Sequence, residues 1–220
     1  MKVLKPPQSG SAAGVTAGRN RFGQYERTRA IPVNPNSAAQ GAARARMSAN
    51  AALWRTLTAA QRAGWADLGL SMVRSDSLGQ SYTLQGNQAF SSVNNNRLLS
   101  GLVVVTDAPA LSTPPVITGL VVTLTATSFS LAYTPTPMPA ATYLAVYVSP
   151  QRSAGRSFEN DFRFVKLSAA AAASPLVILP EYTAKFGIPV LGNRIFLSCV
   201  AITLGFESGS FITSAVVAGA

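Results

Sequence analysis

The densest chemistry in this chain lies within about ten residues, where Arg19, Arg21, Arg27 and Arg29 are interleaved with Phe22 and Tyr25. Guanidinium groups pair with phosphates or carboxylates, and aromatic rings stack on bases or cover apolar side chains. Two kinds of partner therefore suit the cluster: the backbone of a nucleic acid, or the acidic side chains of a neighbouring protein subunit. The residue types alone leave both open. Pro32 and Pro35 follow at once and hold the stretch IPVNP extended, because each ring fixes its own φ and biases the residue before it towards β or polyproline geometry. They complete the set of candidate partner-binding residues.

Other reactive types are sparse. Glu159 and Asp161, in SFENDFR, are the one close carboxylate pair that suggests acid–base work, but acids two apart on a strand or loop read more simply as a solvated face. Ser198 and Cys199 are adjacent nucleophiles with no base nearby in sequence, and the thiol sits inside the apolar run IFLSCVAI, where a small buried hydrophobe is expected. Histidine is absent, which removes the usual general base and the commonest metal ligand together. With a single cysteine, no disulfide within one chain and no thiolate metal site is expected. The glycines of AGRNRFG match neither a phosphate-binding loop nor a dinucleotide fingerprint. The expectation is a protein that is not an enzyme and uses no cofactor or metal.

Charge is unevenly placed. Of the net +10, residues 1–100 hold twelve Lys and Arg against Glu26, Asp67 and Asp76, a balance of +9, whereas residues 101–220 hold six against five. Such asymmetry points to a negative partner for the first half. MKVLKPPQSG has no apolar core of a signal peptide, and runs such as SPLVILP and RIFLSCVAITLGF are too short to span a bilayer, so no membrane role is expected.

The elements that must position the arginines follow from pattern. Residues 1–13 lack periodicity and read as an extended arm. VTAGR and QYERTR are strand-like runs around a turn containing Asn20 and Gly23, and alternation puts Tyr25, Arg27 and Arg29 on one face. Ser37 and Gln40 form a capping box that starts a helix to about Thr56, with Ala43, Met47, Ala51 and Trp54 on one stripe. Thr58 and Gln61 repeat the device, starting a helix whose Trp65, Leu68 and Met72 share a face. A third helix is predicted from Thr83 or Leu84 to about Ser100, with Ala89, Phe90, Val93 and Leu98 inward, despite the poor helix formers Asn94, Asn95 and Asn96. This bundle is small enough to need a neighbour to complete its core.

DAPALSTPP, residues 107–115, reads as a linker. Beyond it, VITGLVVTLT, SFSLAYT, TYLAVYVS, FRFVKLS, PLVILP, NRIFLSCVAIT and GSFITSAVV are short β-rich runs at sandwich spacing, with alternation at Phe129, Leu131 and Tyr133 and at Tyr143, Ala145 and Tyr147. The fold class expected is multidomain α and β: an extended basic arm with a short β-hairpin (1–36), a small three-helix region (37–106), the linker, and an antiparallel β-sandwich (116–220) that resembles fibronectin type III or immunoglobulin-like modules.

Residues 14–101 also resemble uncharacterised bacteriophage and prophage proteins. The resemblance is carried by G-x-x-x-x-R-N-R-F-G-x-Y-x-R-x-R-x-x-P-V-N-P-x-S-x-x-Q from Gly14 to Gln40, then LTAAQRAGWADLG, then DSLGQSYTLQGNQAFSSVNNNRLLSG. It implies a virion structural protein, made in the host cytoplasm, whose arm anchors it to capsid or tail subunits or to copies of itself. Capsid decoration or cement is the leading form, and a tail or connector component stands close behind. A protein tethering nucleic acid through the arginines is the alternative from another class, and a surface filament exchanging arms is a third.

Overall fold

The structure is a computed structural model, and it describes residues 9–31, 33–76 and 78–219 of the 220-residue chain. The chain divides into two compact units, Met1–Ala43 and Arg44–Ala220. Pro32 and residues 1–8 of the expected arm lie outside the described residues.

The first unit is built on a three-stranded antiparallel sheet: β1 (Gly10–Ala12), β2 (Val15–Asn20) and β3 (Gly23–Thr28), in that order. Asn20 faces Gly23 across the ladder, so Arg21 and Phe22 form a two-residue turn. The Asn20 side chain fixes that turn by accepting the Phe22 amide at 2.9 Å. The strand β1 corrects the reading of residues up to 13 as a bare arm. It pairs Ala12 with Val15 around a second tight turn and carries no apolar alternation, so only backbone pairing and the Ser11–Thr16 hydroxyl contact at 2.8 Å reveal it.

The second unit opens with helices. The helix α1 (Ala38–Thr56), whose first turns belong to the first unit, is capped by Ser37, with the Gln40 amide at 3.4 Å from its hydroxyl. Then come α2 (Ala59–Ser71), a small hairpin of β4 (Val73–Ser75) and β5 (Ser81–Thr83), and α3 (Gly86–Leu99). Thr58 and Gln61 cap α2 reciprocally. Trp65, Leu68, Met72, Ala89, Phe90 and Val93 build the core of this layer, with Trp65 edge-on to Phe90 at 5.2 Å and its indole N–H donating to the Thr106 carbonyl at 2.7 Å. Two expectations need correction. Ala43, Met47 and Ala51 are exposed, and the inward contacts of α1 come late, from the buried Asn50 and the partly buried Leu53 and Trp54; Leu98 is likewise half out, because the inward positions of that turn are taken by Asn94 and Asn96.

The remainder is β-rich and antiparallel. One sheet has the order β10 (Leu176–Val177), β7 (Phe129–Thr134), β6 (Gly119–Leu124). The other runs β9 (Arg163–Leu167), β8 (Thr142–Val148), β11 (Arg194–Thr203), with β12 (Phe206–Glu207) and β13 (Phe211–Val216) both paired to β11. Phe129, Leu131 and Tyr133 from the first sheet meet Leu144, Val146, Leu197 and Cys199 from the second in one core. Tyr143, Ala145 and Tyr147 alternate along β8, and it is the opposite face, Leu144, Val146 and Val148, that points into the shared core.

PLVILP is not one strand. After the two residues of β10 it turns into the helix α4 (Leu179–Phe186), which drives Tyr182 into the core against Phe129 at 5.2 Å. Lys166 fastens α4 by pairing with Glu181 at 2.6 Å while donating to the Val177 carbonyl. Among the described residues the structure holds four helices and several antiparallel sheets, so the chain is a mixed α and β protein.

Candidate interaction surfaces

Register decides which of the arginines act together. In an antiparallel pair, residues directly opposite share a face. Thr16 opposes Arg27 and Gly18 opposes Tyr25, so Tyr25 and Arg27 share one face of the first sheet; Arg19 opposes Gln24 and lies on the other. Arg21 stands at the hairpin tip with its guanidinium 4.6 Å from the centre of the Phe22 ring, a cation–π contact in solvent. Arg29 is one residue beyond β3, its amide still bonded to the Gly14 carbonyl at 2.7 Å. Pro35 lies exposed in the irregular stretch before α1. The sheet therefore presents cations on two faces and a tip, not on one face.

Tyr25 also has a local duty. Its ring lies over Gly18, where an added Cβ would come within 2.9 Å of it. The absent side chain lets the ring cover the bare backbone, a cross-strand pairing that stabilises glycine in a strand. Phe22 has no such duty and is 82% exposed.

From Ser9 to Ala43 no described residue is buried, although Val15, Phe22, Ile31 and Val33 are all large and apolar. A free three-stranded sheet with no hydrophobic face buried is marginal in water. No described strand pairs with the outer edge of β3, which leaves a row of backbone donors and acceptors open to another chain.

The acidic pair considered from the sequence has a structural role. The Glu159 carboxylate is almost wholly buried, accepting the amides of Asp161 and Asn160 at 3.0 Å and the Arg152 guanidinium, with Arg156 at 3.4 Å. The Asp161 amide above all, with Arg152 and the Asn160 amide, holds its pKa down to about 2 against the opposing effect of burial. Such a group stays ionised and cannot donate a proton near neutrality. Asp161 turns instead to Arg163 at 3.2 Å. Cys199 is fully buried, and burial pushes its thiol up to about 12, the opposite of an activated nucleophile. Among the described residues no cluster of three metal-ligating side chains occurs. No helix there is long and apolar enough to cross a membrane.

Two features escaped the sequence reading. The first is the run Asn94-Asn95-Asn96-Arg97, whose members radiate from α3 to four places. Asn94 clamps Val105 from both sides, donating to its carbonyl at 3.1 Å and accepting its amide at 2.9 Å. Asn95 accepts from Asn50 of α1 at 3.0 Å, Asn96 donates to the Gly205 carbonyl at 3.0 Å, and Arg97 donates to the Val103 carbonyl at 2.8 Å. Three successive poor helix formers were the signal: residues that oppose their own element serve a tertiary contact. Beside this node, Phe206 from β12 enters the helical core, so the sheet supplies the completion that the small bundle lacked.

The second feature is an open groove of about 190 Å³ walled by residues 71–74, 111–114 and 206–207. Met72 and Phe206 form its buried floor, Val73 and Leu111 its exposed apolar rim, and Arg74 and Glu207 face each other across it at 3.9 Å.

None of the protein-family models and none of the curated proteins compared matches this chain. Among solved structures it is similar to an Fn3-like protein from Clostridium thermocellum, at 14% identity over 50% of this chain and 96% of that one, with a TM-score of 0.33.

Proposed function

We propose that this chain is a bacteriophage virion structural protein with a non-catalytic role, foremost a capsid decoration or cement subunit. Its N-terminal strands anchor it to neighbouring capsid subunits, and residues 116–220 form an immunoglobulin/fibronectin III-like sandwich that projects or packs laterally. The observation that carries this reading is the contrast between the units. Residues 44–220 contain two hydrophobic cores, whereas residues 9–43 bury no described side chain and no described strand pairs with the outer edge of β3. A segment of that kind gains order from another molecule, by strand addition and by arginine contacts.

The strand order supports the sandwich assignment. Lettered in chain order, β6, β7 and β10 stand as A, B and E on one sheet, while β9, β8, β11 and β13 stand as C′, C, F and G on the other, an arrangement of the immunoglobulin-like class. The resemblance of residues 14–101 to phage and prophage proteins supplies the virion setting. A tail or connector component is the near variant of the same role.

Electron microscopy of purified particles, with limited proteolysis of the free chain, tests the proposal. Density for this chain on a shell, and cleavage within residues 9–43 of the free protein that assembly suppresses, is the expected outcome. A compact monomer whose first 43 residues resist protease without partners overturns it. The nucleic-acid reading draws on Arg21 and Phe22 stacked at an exposed tip. It demands filter binding whose affinity falls steeply with salt.

A further inference from the structure

We infer that the hairpin tip Arg21–Phe22 of one copy docks into the groove between α2 and β12 of a second copy, giving a head-to-tail contact; this rests on the anchoring role proposed above and adds a second copy of the chain as the partner of the tip. The tip is the one place in the first unit where a large aromatic is displayed on a fixed turn: Phe22 is 82% exposed, its amide is held by Asn20, and Arg21 lies against its ring. The groove matches it in size and chemistry. Its space of about 190 Å³ exceeds the roughly 150 Å³ that suffices for a benzene ring in an apolar cavity. Met72 and Phe206 would meet the ring from below, with Val73 and Leu111 at the rim.

Charge selects this groove over other apolar spots. Glu159, Asp161 and Glu181 are each taken by close cations, Asp76 accepts the amides of Leu78 and Gln80, and Asp107 accepts from Gln61; Glu26 lies on the first sheet itself, and Asp67, exposed on α2, does not line the groove. Glu207 lies near the Tyr147 hydroxyl, and among the described residues its ion pair is a long one, with Arg74 at 3.9 Å, its side chain 32% exposed. It is an under-used acid beside an apolar floor, and Arg21 is a cation beside an exposed ring that pairs with no carboxylate among the described residues. The other strongly exposed phenylalanine, Phe158, lacks this match, because its neighbour Arg156 is committed to Glu159. A tip-to-groove contact is heterologous, so it closes into rings or runs on as a filament rather than stopping at a symmetric dimer.

Sedimentation velocity of the full chain across a concentration series decides the matter. Wild type associates; Phe22→Ala and Glu207→Arg each weaken association by roughly tenfold or more. Mixed together they form a heterodimer that neither forms alone, because the first keeps the groove and the second keeps the tip. The double variant Arg21→Glu with Glu207→Arg regains association. Circular dichroism checks folding, and should Glu207→Arg misfold, Phe22→Ala and Arg21→Glu, both at the exposed tip, still decide. A wild type that stays monomeric, a Phe22→Ala variant that associates like wild type, or a mixture that forms no heterodimer overturns the inference. If wild type associates with residues 9–43 protected from protease but Phe22→Ala changes nothing, the groove contact falls and the anchoring role stands. If those residues are protected in a monomer, both fall.

Discussion

Replacing Gly205 by alanine strikes the point where the turn between β11 and β12 touches α3. Gly205 has φ +101°, and a Cβ built there would sit 2.6 Å from the Val93 carbonyl oxygen and 2.8 Å from Val93 Cγ1, against the 3.4 Å at which ordinary contact begins. The backbone conformation alone costs a side chain about 1–2 kcal/mol. The clash is with helical backbone, so α3 or the turn must retreat. Retreat weakens the Asn96–Gly205 bond, worth about 1 kcal/mol net, and loosens Phe206, whose burial is worth about 1.5–3 kcal/mol. A loss of about 3–5 kcal/mol follows. Urea unfolding monitored by Trp54 and Trp65 fluorescence should show the midpoint falling by about 1–2 M, for a slope on the order of 2–3 kcal/mol per M. Gly209→Ala is the control, since nothing lies within 4 Å of its Cβ position, and it should stay within about 0.5 kcal/mol of wild type. A Gly205→Ala protein as stable as the control would refute the view that this turn is packed against α3.

Three further outcomes are expected. The Tyr182 hydroxyl is buried with no hydrogen-bond partner among the described residues, so Tyr182→Phe should raise stability by about 1 kcal/mol in thermal melts; a lower midpoint contradicts that assignment. Glu159 has its pKa lowered from 4.5 to about 2, so its stabilising contribution is present above pH 4.5 and is lost as pH falls towards 2. Stability measured against pH over that window should slope less in Glu159→Gln than in wild type, and an unchanged slope sinks the argument. Asn94→Ala leaves the Val105 amide and carbonyl without their partner in a part-buried site, and should cost about 2–3 kcal/mol by urea unfolding, where a loss under about 1 kcal/mol would show the clamp to be dispensable.

Local signals were read well where one short stretch carried the whole cause. The Thr58–Gln61 capping box, the turn at Asn20 and Gly23, and the alternation of Phe129, Leu131 and Tyr133 each depend on residues within a few positions of one another. The helix α4 was missed although its signs were present: Pro180 in the first turn, Glu181 at the start, Lys185 near the end and Gly187 after it. Its apolar beginning simply read as strand. Failures of a second kind had no local sign. The strand β1 is defined by its partner, β8 lies between β9 and β11, strands distant in sequence, and the groove takes its walls from three separated segments. Ala43, Met47 and Ala51 show the converse error, because a helical stripe predicts a buried face only where something lies opposite it.

The geometry of the first sheet also weighs protein against nucleic acid as the partner of its arginines. A phosphate backbone running along a strand pair presents its charge from one side, and a sheet built for it would gather its cations on that side. Here the register sends Arg27 to one face with Tyr25 and Arg19 to the opposite face, while Arg21 stands at the tip. Cations on both faces suit a partner that encloses the sheet, contacting both surfaces and pairing with the open edge of β3. A cleft between protein subunits does that, and a single polynucleotide strand lying on one face leaves at least one of these arginines in water.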